Sequence, residues 1–284
     1  MPSVPVAPDQ DSIRRDWTQA AAGWRKWHRE FAVQSREATK VLIQAAAVQP
    51  GMQILDLASG SGEPAVSLAQ AVGPAGGVLA TDLVSDMLLG TRAHAAELGR
   101  RNMDFIAASA DALPFHAKTF DRVTCRFGVM FFADISKALA EIERVLKPRG
   151  RLAFAAWADA SRNNFFAATT DVLRKFSNSP PQNPDLAHRF AEPGSLSAAL
   201  RQSTLQDVAE DYHSIAWPWP GPPEQFWDYS VEVRRSFRKL LESLSPEQQR
   251  EARIESIREM SRFYDGRQVN FSACIVIATG VRPA

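Results

Sequence analysis

Apolar positions in this chain first recur at helical spacing. Ile13, Trp17, Ala20, Ala21, Trp24, Trp27 and Phe31 form one stripe, which predicts a helix from a Ser12 cap to about Arg36. A second helix carries Val41, Leu42, Ala45 and Ala46 and ends at Pro50-Gly51. Short apolar runs then alternate with helical stripes. Ile54–Leu57, Val78–Thr81, Phe105–Ala107, Arg122–Arg126 and Arg151–Ala156 read as strands. Between them, helical spacing runs from Pro64 to Val72, over 84–99, and from Ile135 to Leu146, where Lys147-Pro148-Arg149-Gly150 stops it. Strand–helix alternation of this kind predicts an α/β fold: a doubly wound, mostly parallel sheet with helices on both faces.

The regularity fails after the fifth strand. Residues 158–192 are rich in Asn, Pro and Phe and read as an insertion. A short helix, Ser195–Gln202, leads to a sixth strand near Val208–Ile215. The elbow Trp217-Pro218-Trp219-Pro220-Gly221-Pro222-Pro223 then opens a charged helical stretch over 224–264, and Phe271–Thr279 is the seventh strand.

Composition narrows the setting. Of 284 residues 45% are apolar, enough for a sizeable core. The 33 basic and 32 acidic residues nearly cancel, so no basic field points to a nucleic-acid partner. Cys125 and Cys274 both sit in apolar runs and read as buried thiols of a reducing compartment. Residues 1–11 lack the charged start and apolar region of a secretory signal. No apolar run approaches the roughly 20 residues of a membrane span. The expectation is a cytoplasmic protein with no integral membrane span.

The first strand runs into Gly60-Ser61-Gly62-Glu63-Pro64-Ala65, a match to G-x-G-x-x-G/A. Glycines there remove side chains where a ligand must touch the backbone at a helix N-terminus. Asp82 closes the second strand, where a carboxylate can accept both hydroxyls of a ribose. The plain alternatives are a tight turn and a helix-capping Asp. Two acids divide the cofactor classes: Glu63 in the first helical turn and Asp56 within the first strand would repel a pyrophosphate but welcome a cation. S-adenosylmethionine carries a sulfonium and an ammonium and no phosphate.

With these residues the chain resembles class I S-adenosylmethionine-dependent methyltransferases, in particular the small-molecule, ubiquinone/menaquinone-type branch. The likeness is carried by Ile54 through Gly62, by Thr81-Asp82-Leu83, by Ser109-Ala110-Asp111-Ala112-Leu113-Pro114-Phe115, by Phe120–Val123 with Arg126-Phe127-Gly128, and by Arg144 through Leu152. It covers about residues 40–157; Ala58 departs from the family's usual first glycine. The resemblance implies a seven-stranded Rossmann-like sheet with a helical cover. It implies that Asp56 lies near the methionine amino end, that Ala58, Ser59, Gly60 and Gly62 form the loop the cofactor approaches, and that Asp82 holds the ribose. Leu83 and Met87 would flank the adenine, Ala110 and Asp111 would meet its edge with a backbone donor from Ala112, and Arg126 and Phe127 would bring backbone groups to the methionine part.

On this reading the chain is one structural domain in five parts: an N-terminal helical cap (1–50), a cofactor-binding core (51–157), an insertion plus strand six (158–223), a helical lid (224–264) and the last strand (265–284). Trp17 and Trp24 either close over the sulfonium, since aromatic faces attract cations, or belong to an apolar face packed on the sheet. No general base stands out. His28, next to the tryptophan stripe, and His116, after the adenine loop, are the candidates. No Cys/His grouping has metal-ligand spacing. Phe165, Phe166, Phe176, Phe190, Trp217, Trp219, Phe226 and Trp227 crowd the segments after strand five, as in pockets for apolar or aromatic ligands. The expected function is in-line methyl transfer to such a small acceptor. A nicotinamide-dependent oxidoreductase and a non-catalytic cofactor-binding protein are the alternatives.

Overall fold

The computed structural model describes residues 9–177 and 186–284. The first part of the Pro-rich start and part of the 158–192 insertion lie outside them.

In chain order the elements are α1 (Gln10–Lys26), α2 (His28–Gln34), α3 (Arg36–Ala45), β1 (Gln53–Leu57), α4 (Ala65–Val72), β2 (Gly77–Asp82), α5 (Ser85–Glu97), β3 (Met103–Ala107), β4 (Phe120–Arg126), α6 (Ile135–Val145), β5 (Leu146–Trp157), α7 (Asn164–Ala167), α8 (Thr170–Phe176), α9 (Ser195–Leu200), β6 (Gln206–Ala216), α10 (Pro223–Val233), α11 (Arg235–Glu242), α12 (Pro246–Ser261) and β7 (Ser272–Val281). The seven strands form one sheet in the order β3-β2-β1-β4-β5-β7-β6. The first five are parallel, and β7 runs antiparallel to both β5 and β6. The order reverses between β1 and β4, which opens a crevice at their carboxyl ends, the place where such sheets bind ligands.

Side chains of β1 alternate between faces. Ile54 packs with Leu68, Val72 and Leu88 of α4 and α5, while Leu55 and Leu57 join the larger core that holds Leu42, Ile142 and Phe154.

The predicted second helix is α3, and the predicted first is two helices, α1 and α2. Its cap is Asp9, whose carboxylate accepts the Ser12 N–H at 3.0 Å, and not Ser12. It breaks at Trp27, where the indole Nε1 donates to Glu232 Oε2 at 2.9 Å and pins the chain to α10. It breaks again at Ser35, whose hydroxyl donates back to the Phe31 carbonyl at 2.6 Å, a bond that bends helices. β5 starts at Leu146 and not at Arg151, because the stretch read as a helix stop joins the sheet, with Leu146 paired to Phe120 and a left-handed bend at Arg149 (φ 62°). Among the described residues no helix is long and apolar enough to cross a membrane.

Candidate active site

The loop after β1 turns on unusual backbone angles. Ala58 adopts φ 53° and Gly60 φ 57°. A non-glycine residue in this left-handed region costs about 1–2 kcal/mol. Ala58 is accommodated because Gly128 faces it: a Cβ on Gly128 would lie 2.4 Å from the Ala58 Cβ and 2.8 Å from Cys125 Sγ. The Gly60 carbonyl accepts from the Thr91 hydroxyl of α5 at 2.7 Å, and the open side of Gly60 faces the crevice. Gly62 does not line the crevice. Its missing side chain makes room for His94, whose Nδ1 would sit 2.7 Å from a Cβ there.

Asp82 ends β2 almost buried. Its Oδ2 accepts the Gly60 N–H and its Oδ1 the Val84 N–H, both at 3.0 Å. Burial pushes its carboxyl up to about 6. Each oxygen keeps a lone pair for a ligand hydroxyl. Across the crevice, the Ser109 hydroxyl donates to Asp111, and Gln10 Nε2 of α1 donates to Ser109 Oγ at 2.5 Å and to Asp111 Oδ1 at 3.1 Å. The cover therefore latches onto the loop after β3. Leu83, Met87 and Ala110 line the same wall. Ala112 does not, and its N–H is already taken by the Ser109 carbonyl at 3.2 Å.

Asp56 is fully buried and does not line the crevice. Thr124 Oγ1 donates to its Oδ1 at 2.7 Å, its Oδ2 has no partner, and burial pushes its carboxyl up to about 7. It stands behind the glycine loop, with its carbonyl accepting from the hydroxyls of Ser59 and Thr81 at 3.0 Å. Arg126 closes β4 on the crevice side. Its Nη1 donates to Thr39 Oγ1 at 2.7 Å and to the Ser35 carbonyl at 3.3 Å, and its Nη2 to the Glu63 carbonyl at 2.8 Å. Phe31 lies 5.2 Å and Phe127 5.8 Å from the guanidinium carbon. Burial lowers the Arg126 pKa to about 10.

Beyond Arg126 the crevice opens into an aromatic chamber, the two together enclosing about 860 Å³. Phe127 stacks on Trp157 at 4.0 Å with planes 8° apart, and Trp217 meets Trp157 edge-on at 5.0 Å. Trp17 and Trp24 roof the space from α1, in edge contact with Phe131 at 5.0 Å and Phe31 at 4.8 Å respectively. Tyr229, Val233 and Phe237 of α10 and α11 close the far side. The two covers are clasped together: Arg235 reaches Asp16 at 2.6 Å and Lys26 reaches Glu232 at 2.7 Å.

Neither histidine candidate reaches this cavity. His28 follows the break at Trp27, which turns it toward His94, 5.2 Å away. His116 lines a separate small hollow with Gln53 and Gly77, at the amino ends of β1 and β2. Glu63, one of the two acids read from the sequence as favouring a cationic cofactor, lines the cavity, as do Gln10, Gln34 and Tyr229, which the sequence did not single out. A polar Gln34 three residues after Phe31 in an apolar stripe was the available signal.

Comparison with known proteins agrees with this geometry. The model of the ubiE/COQ5 methyltransferase family matches residues 32–169. The chain is 32% identical over 174 residues to the ubiquinone/menaquinone biosynthesis C-methyltransferase of Shewanella halifaxensis, covering 60% of this chain and 68% of that one. It is 39% identical over 185 residues to the same enzyme of Klebsiella pneumoniae, covering 61% and 73%. Its fold matches that of the YcgJ protein from Bacillus subtilis with a TM-score of 0.55 at 19% identity, over 88% of this chain and 99% of that one.

The residues present fit S-adenosylmethionine. Asp82 brings a carboxylate to the cavity, Gly60 leaves the backbone bare there, and Glu63, Arg126 and Gln34 line the same cavity. The dehydrogenase and non-catalytic readings fall away. The chain belongs to the ubiE/COQ5 methyltransferase family, and is an enzyme that transfers methyl from S-adenosylmethionine to a small molecule.

Proposed function

We propose that the acceptor is a planar, largely apolar aromatic molecule held in the chamber formed by Phe127, Trp157, Phe165, Phe166 and Trp217. The observation that carries this is continuity: the crevice of Gly60 and Asp82 and the aromatic chamber are one cavity, joined at Phe127. The relatives named as ubiquinone/menaquinone biosynthesis C-methyltransferases support a quinol- or phenol-like acceptor. A cytoplasmic place of action fits the two buried free thiols.

The cofactor supplies an electrophilic methyl on a sulfonium. The chain's own task is alignment, which can supply about 7–11 kcal/mol toward an in-line displacement. Asp82, Asp111, Leu83 and Met87 would fix the nucleoside end, while the Ala58–Gly60 loop and Phe127 set the junction. Phe127 is held rigidly, with its N–H on the Ala155 carbonyl at 2.8 Å and its ring against Trp157. Trp17 and Trp24 exclude water above the junction, and their faces favour a cation beneath them. Residues 9–50 and 224–264 act as the two halves of the cover, 51–157 as the cofactor core, 158–177 and 186–223 as the acceptor wall, and 265–284 as the strand that closes the sheet.

The test is methyl transfer from isotopically labelled S-adenosylmethionine to a panel of quinols, phenols and amines, with products read by mass spectrometry. Label in the quinol or phenol products supports the reading. Label confined to the amines overturns it.

A further inference from the structure

Tyr229 of α10 is 4% exposed and lines the cavity. Its ring is fixed by five others: Trp219 at 4.6 Å, Phe226 at 5.6 Å, Phe31 at 6.2 Å, Trp27 at 6.4 Å and Trp24 at 6.5 Å. A phenylalanine would pack there as well. The hydroxyl, however, has no hydrogen-bond partner among the described residues, and it is not one of the polar atoms sealed inside the protein. A buried tyrosine hydroxyl ordinarily finds a partner within the protein. This one meets only what the cavity holds.

Two guanidiniums place the hydroxyl along the cavity. Arg126 ends β4 on the cofactor side. Arg234 belongs to the acceptor side. Its guanidinium carbon lies 4.9 Å from the Phe166 ring and 5.6 Å from that of Phe165, and it donates to the hydroxyls of Thr169 and Thr170 at 2.8 Å. Both cations act on the Tyr229 hydroxyl, which therefore stands between the two ends, where the crevice joins the chamber. Burial outweighs them and holds the phenol above its usual pKa, so it keeps its proton and serves as a donor. A donor flanked by two cations suits an oxygen rich in negative charge. Phenol and quinol oxygens are of this kind.

Resting on the aromatic acceptor argued above, we propose that the Tyr229 hydroxyl donates a hydrogen bond to an oxygen carried on the acceptor ring. Stacked side chains accept a flat molecule in several in-plane rotations, and one fixed donor selects among them. Selection of one rotation matters because in-line transfer needs the reacting atoms aligned. Tyr229 transfers no proton. It orients the acceptor and favours rings that bear a hydroxyl over bare ones.

The test is equilibrium dialysis of 1-naphthol, and of naphthalene, which has the same rings without the oxygen, against protein loaded with S-adenosylhomocysteine. In Tyr229→Phe, affinity for 1-naphthol falls about fivefold, while affinity for naphthalene stays within about twofold. Affinity for S-adenosylhomocysteine, read by calorimetry, also stays within about twofold. Because the hydroxyl has no protein bond to lose, the melting temperature of ligand-free Tyr229→Phe holds or rises. Unchanged affinity for 1-naphthol, or equal losses for both ring ligands, overturns the assignment of Tyr229 alone. A fall in S-adenosylhomocysteine affinity does so too, since it moves the hydroxyl onto the cofactor. Wild type that binds neither ring ligand overturns the aromatic acceptor itself, and this assignment with it.

Discussion

The two ends of the cavity are held by different means. At the nucleoside end, position comes from backbone: Ala58 and Gly60 with positive φ, and Asp82 clamped by two N–H groups. At the acceptor end, position comes from rings that brace one another, with Trp157 touching Phe127, Phe165, Phe166 and Trp217. A backbone clamp has no spare member, whereas a ring cluster shares the load among several contacts. Substitutions at the first end should therefore cost more, and cost it in folding or in cofactor affinity.

The largest effect is expected at Gly128. Gly128→Ala places a methyl 2.4 Å from the Ala58 Cβ. Both atoms sit on tight backbone, so neither yields cheaply. A loss of about 3 kcal/mol is expected in denaturant unfolding. Ala58→Gly removes the other methyl and the left-handed penalty together, so the double variant should regain more than half the loss. A double variant no better than Gly128→Ala would show that Cys125 Sγ, at 2.8 Å, is the true obstacle.

Next comes Asp82→Asn. The amide keeps one acceptor and turns the other into a donor, facing an N–H or a ligand hydroxyl the wrong way. Affinity for S-adenosylhomocysteine should fall about 10–100-fold, the worth of hydrogen bonds to a charged group. Titration showing under a threefold change would take the ribose role away from Asp82.

How much of this was legible follows the same divide. Gly60, Asp82 and Asp111 could be placed at the cavity from the sequence because each ends a strand or lies within four residues of its end, and strand ends are marked by local pattern. Asp56 was misplaced, although alternation along β1 sets it on the face of Ile54, away from the crevice. His116 was misplaced because a parallel crossover returns to the amino ends of the sheet, so a residue just before β4 belongs to the far side. The Gln34–Arg126 neighbourhood was illegible: nothing local joins residues so far apart, and the break at Trp27 depends on a tertiary bond to Glu232, although the one at Ser35 accompanies a local bond to Phe31. Composition announced the acceptor chamber but not which rings face it; Trp27 and Trp219 pair with each other at 5.7 Å outside it, while Trp157 lines it.

A third, smaller effect is a slope with pH, and it belongs to the nucleoside end. Burial raises the Asp56 carboxyl from 3.8 to about 7 and that of Asp82 to about 6. The folded protein then holds these protons more tightly than the unfolded chain. Their contribution favours folding at low pH and is lost as pH climbs from about 4 through 7. His94 works the other way, since burial lowers its pKa and stability through it rises with pH. Asp56→Asn isolates the first trend. Relative to wild type, its melting temperature should be highest at pH 8 and the gap should narrow by a few degrees toward pH 5. A gap independent of pH would mean that Asp56 is ionised throughout, its charge balanced by Arg126.

Trp217→Phe should do least, and it probes the acceptor end directly. Trp217 is buried among Trp157 at 5.0 Å, Phe127 at 5.8 Å, Phe31 at 6.0 Å and Phe165 at 6.1 Å. Four rings surround it, so the smaller side chain keeps most contacts and the neighbours bound the gap. The change removes about 1 kcal/mol of packing. The acceptor KM should rise two- to fivefold by that magnitude, with kcat and S-adenosylhomocysteine affinity nearly unchanged. The pH slope should match wild type, because no buried acid has moved. A fall in cofactor affinity as large as that of Asp82→Asn would erase the distinction between the two ends. It would mean that the aromatic cluster, through Phe127 and Phe31 against Arg126, sets the cofactor crevice as firmly as the backbone does.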